Sequence, residues 1–292
     1  AATAEIPPLS PLELQLQREL AESEFLCGRL PAADARAQAL LGRVTSPLER
    51  AQLLALRARS YLPAARYRDA VTLGLQAFAL LGIEFARDDA ELQRWADERL
   101  AELGPKLLSL GPEALLSQPL SKDPAHRLRM SLVGLLLPPS FASRPSLFVA
   151  LVAHALSAVL EHGNTEESCI VFFSYGLLQV TTSDIARGLA FSELAVRLYE
   201  RLNVHRTAGM ALHVHGGHIN HWARPLHTSV PILAQSIQVS MAVGDLNHIG
   251  NGVFEMVWLL YERGDHLDEV ARYAVQALDL AAQIRNEAIR SA

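Results

Sequence analysis

The segment Ile185-Ala186-Arg187-Gly188-Leu189-Ala190-Phe191-Ser192-Glu193-Leu194-Ala195 carries the pattern that marks the fold class. Ile185, Gly188, Ser192 and Ala195 recur at i, i+3, i+7 and i+10, which is one narrow stripe of an α-helix. The same spacing returns as Leu226, Ser229, Leu233, Ser236 and as Leu267, Val270, Ala274, Ala277. It also occurs earlier as Tyr67, Ala70, Gly74, Ala77, with Ala32, Ala35, Ala39 as a weaker copy. The starts at 185, 226 and 267 are 41 residues apart, and a fixed period of that size marks a helical solenoid.

Sixteen residues before each start lies a second helical pattern, and its eighth residue is small in most copies: Ala58, Gly176 and Gly217, with Trp258 as the exception. Each of these is predicted to sit where two helices of a pair cross. With Tyr61 and Tyr261 three positions further on, the pattern resembles the tetratricopeptide repeat, a pair of antiparallel helices, although the period is longer than the usual one and the closing proline is missing. The fold class expected is therefore all-α, a right-handed superhelical array of antiparallel helix pairs. Residues 1–82 and 166–292 read as regular repeats. Between them, 83–165 reads as irregular helices, with 124–137 and 146–162 paired across a connection at Pro138-Pro139-Ser140-Phe141.

Strand signals are nearly absent. The most β-like run, from Ile170 to Tyr175, continues at helical spacing through Gly176, Leu177 and Val180 after a cap-like Thr165-Glu166-Glu167-Ser168. Half of the 292 residues are hydrophobic, enough for a large core. A net charge of −5, with Lys106 and Lys122 as the only lysines, gives no clustered basic face for nucleic acid. Cys27 and Cys169 lie within apolar helical patterns and are expected as buried, reduced thiols of a cytoplasmic protein. The apolar stretches at 130–139 and 147–160 are short or interrupted by His and Ser, so no membrane partner is expected. The chain begins without Met and stops inside a helical pattern at 289–292, as a single repeat domain excised from a longer protein would.

The densest chemistry is His213-Val214-His215-Gly216-Gly217-His218-Ile219-Asn220-His221-Trp222. His215 and His218, or His218 and His221, are one helical turn apart and could share a metal. No carboxylate or thiolate stands nearby in sequence to complete the set, so no metal is expected; His213 and His215 should pack inside while His218 and His221 face a groove. No Gly-Lys-Ser or Gly-Lys-Thr phosphate loop occurs, there is no strand to build a serine nucleophile elbow, and acidic runs such as Asp88-Asp89-Glu91 fit helix starts. No catalytic residue and no cofactor are expected.

Three segments in order, Gly74-Leu75-Gln76-Ala77 through Leu81-Gly82-Ile83, Leu137-Pro138-Pro139-Ser140-Phe141 with Arg144-Pro145-Ser146-Leu147-Phe148, and Ile219-Asn220-His221-Trp222 with Pro225-Leu226, carry a family resemblance. The chain resembles the helical region of multidomain signalling proteins that join a serine/threonine kinase, an AAA-type ATPase and often a GAF and a sensor histidine kinase domain. The resemblance implies signal transduction in a bacterium or fungus, with the kinase and ATPase chemistry on other domains. Similar ATPase-coupled helical arrays, including the sensor of a maltotriose-responsive bacterial transcription activator, bind an inducer in the superhelix.

Two readings follow. The array is a scaffold for a protein or peptide segment, including other domains of the same chain, or a sensor that takes a small-molecule ligand. In tetratricopeptide arrays the first helix of each pair lines the concave side. Here that selects Phe173 and Leu177, then Val214, His218, His221 and Trp222, then Glu255, Leu259, Glu262 and Arg263. Trp222 is the expected anchor, because aromatic side chains carry much binding energy, unless it only plugs a seam between repeats.

Overall fold

A computed structural model of the chain describes residues 10–64, 66–203 and 205–283. Among these there are thirteen α-helices and no strand, with one isolated parallel bridge between Leu120 and Asn164. The fold is all-α, built from helix pairs. The expectation for 289–292 lies outside the described residues. Contacts divide the chain into two compact units. One holds the residues up to Pro105 together with Ser121–His162, and the other Lys106–Leu120 and the residues from Gly163 onward.

The first unit contains α1 (Pro11–Leu26), α2 (Leu30–Leu41), α3 (Pro47–Tyr61), α4 (Tyr67–Leu80), residues 89–105 of α5 (Asp89–Ser117), α6 (Pro124–Ser143) and α7 (Pro145–His162). Local chemistry sets the helix starts. Ser10 and Glu13 form a reciprocal capping box on α1, Asp88 accepts from the Glu91 amide at the head of α5, and Asp123 caps α6. The buried positions of α3 and α4 include the small residues Ala51, Ala58, Ala70, Gly74 and Ala77 beside larger ones such as Leu53 and Phe78. A Cβ on Gly74 would lie 2.5 Å from Leu136 Cδ1, so this glycine lets α6 approach α4. In α2 the stripe falls one position away from the weaker copy expected: Ala33, Ala37 and Leu40 are buried, while Ala32, Ala35 and Ala39 are exposed. An alanine-rich helix carries little size contrast, and its tertiary neighbours choose the face.

Two further expectations are corrected in this unit. Pro138 and Pro139 do not connect two helices but lie inside α6, which runs on to Ser143. Proline φ suits a helix, and the turn beyond closes through the Arg144 amide on the Ser140 carbonyl at 2.8 Å. The break comes at Arg144, whose guanidinium is held by Asp89 Oδ1 at 2.6 Å and by the Ala86 and Arg87 carbonyls. The apolar stretch at 147–160 belongs to α7, which by length and composition could cross a membrane, but most of it is buried as the core of this unit. Cys27, at the end of α1, is exposed where burial was expected; Cys169 is buried.

The second unit contains the remainder of α5, then α8 (Ser168–Thr181), α9 (Ile185–Leu202), α10 (His205–His213), α11 (Ser229–Val243), α12 (Leu246–Arg263) and α13 (Leu267–Gln283). Helix starts at 185 and 267 match the 41-residue period; at 226 a short 3-10 turn, Leu226–Thr228, precedes α11. Asp184 and Asp245 cap α9 and α12, and Asn203, Gly244 and Gly264 end their helices in the left-handed conformation. Gly176 and Gly188 form the crossing of α8 and α9: a Cβ on Gly176 would lie 2.7 Å from the Gly188 carbonyl oxygen, and one on Gly188 would lie 2.8 Å from that of Gly176.

Gly217 does not play the matching part in the next pair. A Cβ there would meet nothing closer than 3.6 Å, whereas one on Gly209 would lie 2.1 Å from Ser240 Oγ and one on Gly216 would lie 2.9 Å from Ile232 Cγ2. The cause is a π-helical turn at Val214–Ile219, which takes more residues per turn and rotates the tight face away from Gly217. Trp258 lies on the surface, and the close approach of α12 to α11 falls instead at Gly252, against Ile237.

Candidate functional site

The histidine-rich segment of the second unit leaves α10, passes through the π turn and ends in a 3-10 turn at Asn220–Trp222. Two glycines without Cβ atoms ease the wide turn. The buried Asn220 then holds its end in place, its amide donating to Thr228 Oγ1 at 2.8 Å and Ser229 Oγ at 3.0 Å. The four histidines divide as the pattern indicated: His213 and His215 are buried, while His218 and His221 are half-buried. His215 is a satisfied core residue, its Nδ1 2.8 Å from Ser192 Oγ on α9. His213 is not satisfied: its Nδ1 is buried and has no hydrogen-bond partner. Such an orphan costs about 1–3 kcal/mol unless something pairs with it.

The ten residues expected to line a binding strip do not all reach the surface. Phe173 and Leu259 are 5% and 6% exposed, and Leu259 packs with Leu233 and Met256 in a core cluster, so neither presents itself to a ligand. A position set by repeat register points inward when helix pairs pack on both sides of it. Leu177, Val214, His218, His221 and Glu255 are half-buried, and Glu262 and Arg263 are exposed, the latter tied to Asp265 through Nε at 2.6 Å. Trp222 is 58% exposed, with its ring against His221 at 5.4 Å between centroids. It therefore plugs no seam.

The structure brings together three groups that sequence separation hid. One ligand atom each of His213, His218 and Glu255 lies within 4.8 Å of the others. His218 Nε2 is 3.9 Å from Glu255 Oε1, and the rings of His213 and His218 stand edge to face with centroids 5.2 Å apart. Glu255 comes from α12, and 214 + 41 = 255, so it is the next repeat's counterpart of Val214. The period itself was the signal that could have supplied the missing carboxylate. Burial pushes His213 down to about 3 and lowers His218, so both imidazoles are neutral at ordinary pH. Burial, with help from Glu262, raises Glu255 above the usual carboxylate range.

The first unit carries a separate cleft of about 520 Å³, with Trp95, Arg99, Arg129, His154, Ser157 and Glu161 among its walls. Arg99 Nε donates to Ser157 Oγ at 2.8 Å, and burial pushes His154 down to about 4, its Nε2 having no hydrogen-bond partner.

No family model matches the chain, and no curated protein matches it.

Proposed function

We propose that the chain is a non-catalytic scaffold, its helix pairs forming a degenerate tetratricopeptide-like superhelix that holds a protein or peptide segment. In the parent protein it would relay signals to kinase and ATPase domains in the cytoplasm, as the family resemblance implies. The observation that carries the reading is the exposure of Trp222, its ring against the half-buried His221. A large aromatic ring kept in water, with an imidazole against it, suits an anchor better than a surface that is only solvated.

Panning a random peptide library against the purified chain tests this. The enriched peptides should bind Trp222→Ala at least about 10-fold more weakly, a loss of about 1.4 kcal/mol, while the melting temperature stays unchanged. Peptides that bind the variant as tightly as the parent would refute the assignment.

The alternative, a small-ligand sensor, is favoured by one observation: the cleft of the first unit falls within the size range of ligand pockets. Its charged lining suits a polar ligand rather than an apolar inducer. A thermal-shift screen against polar metabolites in which hits vanish on Trp95→Ala and survive Trp222→Ala would support the sensor over the scaffold.

A further inference from the structure

We propose that His213, His218 and Glu255 form a binding site for one divalent transition-metal ion of the zinc class, linking the wide turn after α10 to α12. The donor set is two imidazoles and one carboxylate, the N and O ligands that zinc, cobalt and nickel accept and that magnesium and calcium, which take oxygen alone, do not. Three protein ligands leave one position of a tetrahedral ion open, and the partial exposure of His218 and Glu255 puts that position within reach of solvent.

The backbone is shaped for this set. On a regular α-helix two residues five apart point about 140° away from each other around the axis. In a π turn, where hydrogen bonds run to the fifth residue, that angle closes to about 50°. His213 and His218 are five apart, the first capping the turn at Val214–Ile219 and the second lying within it, and their rings stand 5.2 Å apart. π turns inside α-helices are frequent at functional sites because they re-aim side chains in this manner.

The distances are close to those a bound ion needs. Ligand bonds of about 2.0–2.2 Å at tetrahedral angles separate donor atoms by roughly 3.3 Å. The His218 to Glu255 separation of 3.9 Å is too long for a hydrogen bond and about 0.6 Å beyond that spacing. The widest pair, at up to 4.8 Å, closes by side-chain torsion of His218 and Glu255, neither of which is locked in the core.

A second and independent observation is the buried Nδ1 of His213, which has no hydrogen-bond partner. A nitrogen lone pair of an imidazole is what a metal takes up. A further imidazole, His248, stands with its ring centroid 6.3 Å from that of His213 and is fixed by Asp245 Oδ2 at 2.7 Å from its Nδ1. It provides a polar wall behind the site.

The test uses untagged protein, stripped with a chelator and titrated with Zn²⁺ and Co²⁺ by calorimetry and visible absorption. Expected are one ion per chain, visible Co²⁺ bands that Zn²⁺ abolishes, and a melting temperature that climbs with Zn²⁺ and falls back with EDTA. Mg²⁺ should do none of this. Glu255→Gln and His218→Ala, at half-buried positions where the fold tolerates change, should each weaken binding by at least about 10-fold. His227→Ala and His266→Ala, at exposed histidines outside the site, should leave it intact. Substoichiometric uptake by the parent chain, or full binding in both Glu255→Gln and His218→Ala, would overturn the proposal.

Discussion

Adding a single methyl group at Gly176 puts the helix-pair architecture to a quantitative test. The new Cβ would stand 2.7 Å from the Gly188 carbonyl oxygen and 3.2 Å from the Ser192 amide nitrogen, both backbone atoms of α9. The first contact is about 0.8 Å short of the roughly 3.5 Å at which heavy atoms attract. Backbone cannot swing aside as a side-chain tip can, so α8 and α9 must separate over their whole crossing. Overpacking of this kind costs about 1–3 kcal/mol. Alanine recovers up to about 1 kcal/mol because it forms helix better than glycine. Because both clashing atoms are backbone, the upper part of the overpacking range applies, and the net loss expected for Gly176→Ala is about 1–2 kcal/mol. At about 2–4 °C per kcal/mol the melting temperature should fall by about 2–8 °C. Gly217→Ala is the internal control: its Cβ would meet nothing closer than 3.6 Å, and its stability should stay within about 0.5 kcal/mol of the parent. Thermal melts and urea titrations followed by far-UV circular dichroism would measure both. If Gly176→Ala melted with the parent while Gly217→Ala fell, the crossing would have been assigned to the wrong glycine.

Two more outcomes follow from burial. His154 has its pKa pushed from 6.5 down to about 4, first by burial and then by the charges of Arg129, His126 and Arg99. Below pH 6.5 the unfolded chain takes up this proton and the folded chain does not, so the contribution is intact above pH 6.5 and lost as pH falls towards 4. The slope is at most about 1.4 kcal/mol per pH unit. Urea midpoints measured between pH 7 and pH 4.5 should fall less steeply in His154→Gln, and an identical slope would exclude this histidine as a source. With a thiol reagent under native conditions, Cys27 should react at once. Cys169, buried, 3.0 Å from Thr207 Oγ1 and with its pKa pushed up to about 11, should stay silent until urea unfolds the chain. Two rapidly reacting thiols in the folded protein would contradict that packing.

Features that depend on near neighbours along the chain were legible in the sequence. Past its first position, exposed at Tyr67 and Leu267, the stripe of small residues marked the buried face of α4, α9 and α11, and of α13 at Val270 and Ala277, because one helix turn repeats every 3.6 residues whatever packs against it. Asp184 and Asp245 show the same locality: each caps a helix from a few residues away. The histidine segment divided into buried and half-buried members as the spacing implied. Tertiary structure alone decided the rest. The tight approaches fall at Gly209, ahead of the π turn at Val214–Ile219, and at Gly216 within it, not at Gly217, and no local composition marks which glycine meets the neighbouring helix. Phe173 and Leu259 went into the core because a neighbouring helix covers the face that repeat register assigns to a groove. Glu255 met His213 and His218 only through the packing of α12 against the π turn. A site assembled across one 41-residue period is set by the stacking of helices, which a reading of each helix alone does not contain.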